Sequence, residues 1–395
     1  MPSPQPGVVV TERALASPQG DVGSAIPLFI GYTERGSAFD LQVVPNFSSY
    51  LDVFGGPPDP TGAAASCVLY YAVRHYFDNG GGGGFALSLG SYDTAQIDEH
   101  FVLALSDARL REAISGQPHI TLIMVPDSVV IPDADAASWQ QTWRAVLGLC
   151  QCRPGLFGLL ETPDDPLCLA ACLADFTDPG GEWGAAYWPR LIVEDADNRR
   201  AVVIPPSTTL AVTIERNDEI SGVWSAPANL ELANVIKTTQ SHLLAEPSGL
   251  WAPFNLIRSF PGRGTRAWGC RTLAPSPDAP MRYVQLRRLL SYIELNLTRL
   301  ARMFVFEPNN EITWFKVKGQ MSNWLHRLWQ DGGLRGTEEQ EAFDVALGLN
   351  ETMTEADLLA GKMIARVRIA AMHPAEHIEL SLQFDMPGGT GASLT

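Results

Sequence analysis

Residues 378–385 alternate without a break. Ile378, Leu380, Leu382 and Phe384 fall on one side, and Glu379, Ser381, Gln383 and Asp385 on the other. A two-residue period predicts a half-buried β-strand. In the first half of the chain the apolar residues come in runs instead. Stretches 25–32, 120–127, 155–161 and 190–193 read as buried strands, and 85–89 alternates as another. Helical spacing fills the gaps. Val68, Tyr71, Ala72 and Tyr76 define a helix over 63–77, and further helices are predicted over 103–115, 136–151 and 167–176. Strands alternating with helices predict an α/β unit with a largely parallel sheet.

The second half reads differently. A long helix over 280–304 carries Tyr283, Leu286, Leu290, Ile293, Leu297 and Leu300 on one face, with Arg288, Arg299 and Arg302 opposite. A second helix over 311–329 buries Trp314, Val317, Met321, Trp324 or Leu325, and Leu328, and turns Lys316 and Arg327 outward. Pro2, Pro4 and Pro6 exclude helix at the start of the chain, where Val8-Val9-Val10-Thr11 is a short β-prone run with no strand nearby to pair with. By composition alone it reads as a frayed terminus. No internal repeat is present.

The length, 395 residues, suits two to three domains, and 46% hydrophobic residues support a sizeable core. The net charge of -16 argues against general nucleic-acid binding. That charge is uneven: residues 1–250 hold 12 basic and 29 acidic groups, and the remainder 16 and 15. Nine Arg lie between Trp251 and Arg302, against only Asp278 and Glu294. An acidic body with one basic segment implies two surfaces with different partners. The N-terminus has neither the basic nor the apolar region of a signal peptide, and no apolar run approaches membrane-spanning length. The expectation is a protein made and kept reduced in the cytosol.

Motifs for catalysis or cofactors are incomplete. Gly80–Gly84 could cradle a phosphate, but Phe85 follows where a Walker loop needs Lys-Ser/Thr, so a helix stop and turn is expected. Gly262-x-Gly264-x-x-Ala267 fits a loose dinucleotide fingerprint, yet Trp268-Gly269 and Pro275 leave no room for the helix it must open. Cys150, Cys152, Cys168 and Cys172 are spaced poorly for zinc and have no His close by, so they read as core residues. His373 and His377 are separated by Pro374. No catalytic residue, cofactor or metal ligand is assigned.

A series of short segments then resembles the contractile phage tail sheath family. Pro6-Gly7-Val8-Val9-Val10-Thr11-Glu12 and Ala25-Ile26-Pro27-Leu28-Phe29-Ile30-Gly31-Tyr32-Thr33 are similar to its opening. Tyr76 to Gly82, Pro126-Asp127, Tyr187-Trp188-Pro189 and Gly222-Val223-Trp224-Ser225-Ala226-Pro227-Ala228-Asn229 follow in order. The C-terminal third resembles the family most: Asn255 to Thr265, Trp268 to Leu273, Phe306-Glu307-Pro308-Asn309 and Leu328 to Leu334.

The resemblance implies a structural subunit, not an enzyme. It implies an α/β body with a mixed sheet, an α+β C-terminal domain, and extended β-strand arms at both ends. The divisions would be an arm at 1–22, an outer body at 23–250, an inner domain at 251–376 and an arm at 377–395, with 91–120 a candidate variable insertion. The arms, Val8, Val9, Val10 and Thr11 at one end and Ile378, Leu380, Leu382 and Phe384 at the other, would add strands to sheets of neighbouring copies. Arg288, Arg299, Arg302, Lys316 and Arg327 would face an acidic inner tube. Expected partners are copies of the chain in stacked hexameric rings, a tube protein, baseplate and cap proteins, and sister sheath subunits. No nucleic acid, cofactor or membrane insertion is implied. Assembly would occur in the bacterial cytoplasm, within a phage tail or a tail-like particle released from the cell. The competing reading is a soluble α/β enzyme with Gly-rich active-site loops.

Overall fold

The computed structural model describes residues 23–93, 97–174, 176–240, 253–276, 279, 281–371 and 377–386. The N-terminal run Val8–Thr11 therefore lies outside the described residues, as do residues 387–395.

The first unit runs β1 (Pro27–Thr33), β2 (Leu41–Val44), α1 (Phe47–Phe54), α2 (Leu69–Asp78), β3 (Gly84–Ser91), α3 (Ile97–Leu105), α4 (Ala108–Ser115), β4 (Leu122–Met124), α5 (Ala136–Cys150), β5 (Phe157–Leu160), α6 (Pro166–Ala174), β6 (Gly184–Trp188), β7 (Leu191–Glu194), β8 (Ala201–Ile204), α7 (Ser207–Ser221), β9 (Leu230–Glu231), β10 (Val235–Thr238), β11 (Asn255–Phe260) and β12 (Gly264–Trp268). Its main sheet has nine strands in the order β2-β3-β1-β4-β5-β6-β11-β12-β9. The six inner strands from β3 to β11 are parallel, and antiparallel strands close both ends. Helices pack on both faces, so β1 and β4 are buried at every position, which is why they read as unbroken apolar runs. A small sheet, β10-β7-β8, lies beside it.

The second unit runs α8 (Val284–Arg302), α9 (Glu311–Gln330), α10 (Glu339–Ala342), β13 (Phe343–Ala346), α11 (Glu355–Leu359), β14 (Lys362–Ala370) and β15 (His377–Asp385). Its three strands pair antiparallel as β13-β14-β15 and bury Met363, Ala365, Val367, Ile369, Leu382 and Phe384 against α8 and α9.

Three expectations shift. β11 pairs parallel with β6, so residues 255–268 complete the body's sheet, and the division moves from 251 to the stretch before α8. Residues 97–115 form two helices whose Phe101, Leu105, Leu110 and Ile114 belong to the main core. The helix predicted over 63–77 begins only at Leu69, because the buried carboxylate of Asp127 takes the amides of Val68 (2.6 Å) and Leu69 (2.8 Å), ending the loop there. The other Asp127 oxygen takes the Tyr32 amide at 2.7 Å. Gly31 makes room for it, since a Cβ there would stand 2.5 Å from Asp127 Oδ2.

The glycine-rich segments are structural. Gly80 ends α2 at φ 78°, and a Cβ at Gly81 would lie 2.3 Å from the Tyr76 ring. The Gly82 amide already donates to the Glu215 carboxylate at 3.2 Å, an anion supplied by the chain itself. Gly262 and Gly264, both at φ 72°, form the hairpin turn between β11 and β12. Cys150, Cys168 and Cys172 are buried free thiols.

Candidate assembly surfaces

α8 was expected to show one polar face. Instead it runs between the two units and is buried almost all round. Arg287 stacks on Trp183, 4.1 Å from the ring centroid, and reaches Glu182 at 3.4 Å. Arg288 meets Asp218 of α7: its Nη1 donates to Oδ1 at 3.0 Å and its Nη2 to Oδ2 at 2.5 Å. Only 2% of the Arg288 side chain and 5% of the Asp218 side chain are exposed. Arg288 thus cannot face a tube, and that expectation is corrected. Helical spacing placed it opposite the apolar stripe of α8, but a carboxylate from the other unit covers that face and supplies its hydrogen bonds.

Ser24 completes the junction. Its hydroxyl donates to Asp218 Oδ2 at 2.5 Å, and its carbonyl accepts from Arg288 Nη2 at 3.0 Å. The first described residues are therefore tied to both units at one point.

Two sequence landmarks meet beside it. Gly222 ends α7 at φ 84°, and a Cβ there would fall 2.3 Å from the Trp224 ring. A Cβ at Gly333 would fall 2.7 Å from Leu328 and 2.9 Å from Trp224. The loop 222–224 and the turn 332–334 can pack together only because both positions lack a side chain. Val223 and Leu334 enter the core of the second unit. Among the landmarks, Asn255 plays a similar part: its amide donates to the carbonyls of Ala186 and Arg271, and its oxygen accepts from the Arg271 amide.

The remaining basic candidates lie on the α8–α9 hairpin. Arg302 and Arg327 are exposed and make no ion pair with a described residue, Lys316 is exposed and bonds Glu307 at 2.9 Å, and Arg299 is half-buried. Sequence reasoning missed what lies among them. Met303, Phe306, Ile312 and Phe315 are all exposed, Phe306 by 91% and Phe315 by 80%. Glu307 holds the hairpin's turn against the start of α9, through Thr313 and Lys316. The signal was legible, since Ile312 and Phe315 sit off the apolar stripe of α9.

The terminal strand expected to act as an arm has a partner in its own chain. β15 pairs with β14 in an unbroken register from Ala370↔His377 to Lys362↔Asp385, with Ile378 opposite Ile369, Leu380 opposite Val367, Leu382 opposite Ala365 and Phe384 opposite Met363. It is the outermost strand, so its other backbone edge has no described partner.

Among the described residues, no three His, Cys, Asp or Glu side chains converge to hold a metal ion. Two buried carboxyls are perturbed. Burial pushes Asp127 up to about 6, against the pull of its three amide donors. Burial pushes Glu161 up to about 8; Ser207 and Arg190 lie close enough to oppose this, but neither oxygen has a hydrogen bond of good geometry. Both groups are enclosed in the body, away from any surface where a substrate could reach them.

The model of the phage tail sheath C-terminal domain matches residues 276–385, the whole of the second unit. A chain from the contracted baseplate of the anti-feeding prophage is 37% identical, with a TM-score of 0.81, over 97% of this chain and 99% of that one. A chain from the contracted helical sheath of the same particle is 30% identical, with a TM-score of 0.68, over 96% and 98%. The tail sheath protein of Enterobacteria phage T4 is 26% identical over 135 residues, which spans 33% of this chain and a fifth (20%) of the T4 protein. With the C-terminal domain recognised and the fold matched from end to end, the chain belongs to the phage tail sheath family.

Proposed function

We propose that this chain is the repeating subunit of a contractile sheath, which polymerises around an inner tube and shortens to drive the tube through a target envelope. The observation that carries this reading is the end-to-end likeness to chains of a contracted baseplate and a contracted helical sheath. The role is structural: the subunit supplies surfaces rather than chemistry. Its partners are further copies in stacked hexameric rings, the tube, the baseplate, a terminal cap and sister sheath subunits. Assembly takes place in the bacterial cytoplasm, and the particle acts outside the cell.

The arms join the copies. Val8–Thr11 of one subunit and the open edge of β15 of another are suited to pair through their backbones, which would hold a mesh together while subunits rotate. The tube faces the α8–α9 hairpin, where Arg299, Arg302 and Lys316 lie on the same turn region as the exposed Met303, Phe306, Ile312 and Phe315, with Arg327 about 18 Å further along α9. Each exposed ion pair contributes only about 0–1 kcal/mol, so the contact can be released during contraction. The acidic body faces away from the tube. The stroke requires no nucleotide; contraction gains contact between subunits, and the arms relay the change from ring to ring.

Negative-stain electron microscopy of the chain expressed with its neighbouring genes tests the reading. Hollow striated cylinders, long and narrow or short and wide, are expected. A protein that stays monomeric beside its tube and baseplate partners would overturn it.

A further inference from the structure

The β11–β12 hairpin has two unlike faces. Ile257, Thr265 and Ala267 are buried in the body, and the alternate positions Arg258, Phe260, Arg266 and Trp268 lie on the other side. Arg258 and Arg266 are directly opposite in the register, so two guanidiniums share that outer face. Phe260 and Trp268 pack together on it, with ring centroids 4.8 Å apart. Trp268 is 39% exposed, and its indole N–H makes no hydrogen bond to a described residue. Arg263, in the turn, brings its guanidinium within 5.7 Å of the Phe260 ring centroid. A Cβ at Gly262 would meet nothing within 4 Å, so the turn stands clear of the described chain. Neutral acceptors hold two of the arginines. Arg266 donates from Nε to the Arg263 carbonyl at 2.9 Å and from Nη1 to the Asn229 carbonyl at 2.6 Å, and Arg263 donates from Nη2 to Asn229 Oδ1 at 3.2 Å. Glu231 is the one described carboxylate that pairs with either, 3.8 Å from Arg266 Nη2 and beyond hydrogen-bond length.

We propose that this outer face docks on an acidic surface of a second copy of the chain, through Phe260, Arg263, Arg266 and Trp268. The two guanidiniums are oriented by carbonyl and amide oxygens, which cancel none of their charge, so they are preorganised for a carboxylate. Arginine beside exposed aromatic rings is also the composition of the residues that dominate interface energies. Charge selects the occupant. The chain's net charge is -16, and residues 1–250 hold 29 acidic groups against 12 basic, so each copy offers the acid that a basic hairpin on its neighbour needs. The same net charge opposes a nucleic acid in that place. A basic patch on one copy meeting a different, acidic patch on the next is a heterologous contact, and such contacts repeat into rings or helical filaments. The contact itself rests on the hairpin, and only its setting in a polymer rests on the sheath reading given above.

Photo-crosslinking tests the contact, with a benzophenone amino acid in place of Pro261, an exposed turn residue whose replacement leaves the arginines intact. In particles made from the chain expressed with its neighbouring genes, position 261 should give covalent dimers of this chain, joined at a surface segment that bears Asp or Glu. Adding Arg263→Glu should lower the dimer yield about tenfold at low salt, whereas Arg263→Lys should retain most of it. Arg263 is exposed, so both variants should melt within about a degree of the parent. Adducts only to the tube or baseplate, adducts only within one chain, dimers joined at a segment without acid, or no adduct in particles that microscopy shows to be assembled would overturn the proposal while the sheath reading stands. So would an R263E chain that cross-links like the parent. If the neighbouring genes give no sheath, the sheath reading fails, and the purified chain at high concentration decides the contact by itself: dimers through position 261 keep it, and their absence overturns it.

Discussion

Arg288 and Asp218 form a two-pronged, buried ion pair across the boundary between the two units, with one N···O distance of 2.5 Å and the other of 3.0 Å. Seventy positions separate them in sequence. A guanidinium and a carboxylate in this geometry satisfy each other, and each becomes costly when the other is removed. The pair joins the two units where Ser24, among the first described residues, is bonded to both partners.

Breaking the pair should therefore destabilise the monomer. Arg288→Met and Asp218→Asn are each expected to cost about 3–5 kcal/mol, since each leaves a buried charge unpaired. R288M/D218L should recover much of the loss. Urea unfolding midpoints decide it: single variants that unfold like the parent would show the pair to be incidental.

The two ends of the terminal arm should separate experimentally. Removing 377–395 strips Leu382 and Phe384 from the core of the second unit, so that unit should unfold. Removing only 387–395 leaves β15 whole and should leave the thermal transition unchanged. A stable, monomeric chain after the longer deletion would mean that β15 belongs to a neighbour's sheet, not to its own.

Glu161 should make stability fall with rising pH. Its folded value of about 8 lies above the ordinary 4.5, so the folded state holds a proton that the unfolded state releases between those limits. Its contribution is intact below about pH 4.5 and is lost progressively up to about pH 8. Glu161→Gln, which removes the titration, should flatten that slope and raise stability at pH 8.5 by up to about 5 kcal/mol, with little effect at pH 4.5. Asp127, at about 6, adds a smaller decline between the ordinary 3.8 and 6 that the Glu161 variant should retain. Identical pH profiles for parent and variant would rule out a proton on Glu161.

Phe306 and Phe315 should matter only in the assembly. Both are exposed, so F306S/F315S should leave the monomer's melting temperature within about a degree of the parent. The same variant should lower the yield of tube-filled sheaths. Arg302→Glu and Lys316→Glu should weaken the tube contact in a salt-dependent way, whereas the apolar contribution should persist at high salt. A full yield of filled sheaths from F306S/F315S would remove the apolar patch from the interface.

Much of the fold was legible because burial on both faces leaves a clear mark. The runs at 25–32, 120–127 and 155–161 were read as strands and form β1, β4 and β5 at the centre of the sheet. Helices with one apolar stripe, such as α5 and α9, were placed within a residue at each end. Short strands whose partners come from afar were not seen. β6, β11 and β12 lack a distinctive period, and only their pairing with one another places residues 255–268 in the body. The break between α3 and α4 was also missed, where Asp107 caps the second helix through the Arg109 amide.

The sequence by itself determined local matters: which runs are apolar, where glycine must stop a helix, and the order of landmarks that marks the family. Each depends on residues near one another in the chain, so the pattern survives without a structure. Tertiary structure alone decided which charges are buried, which strand completes which sheet, and which hydrophobic residues remain outside. Arg288 and Arg302 lie on the same helix with the same chemistry. One is buried because Asp218 arrives from the other unit to meet it, and the other stays in solvent, where no carboxylate among the described residues reaches it.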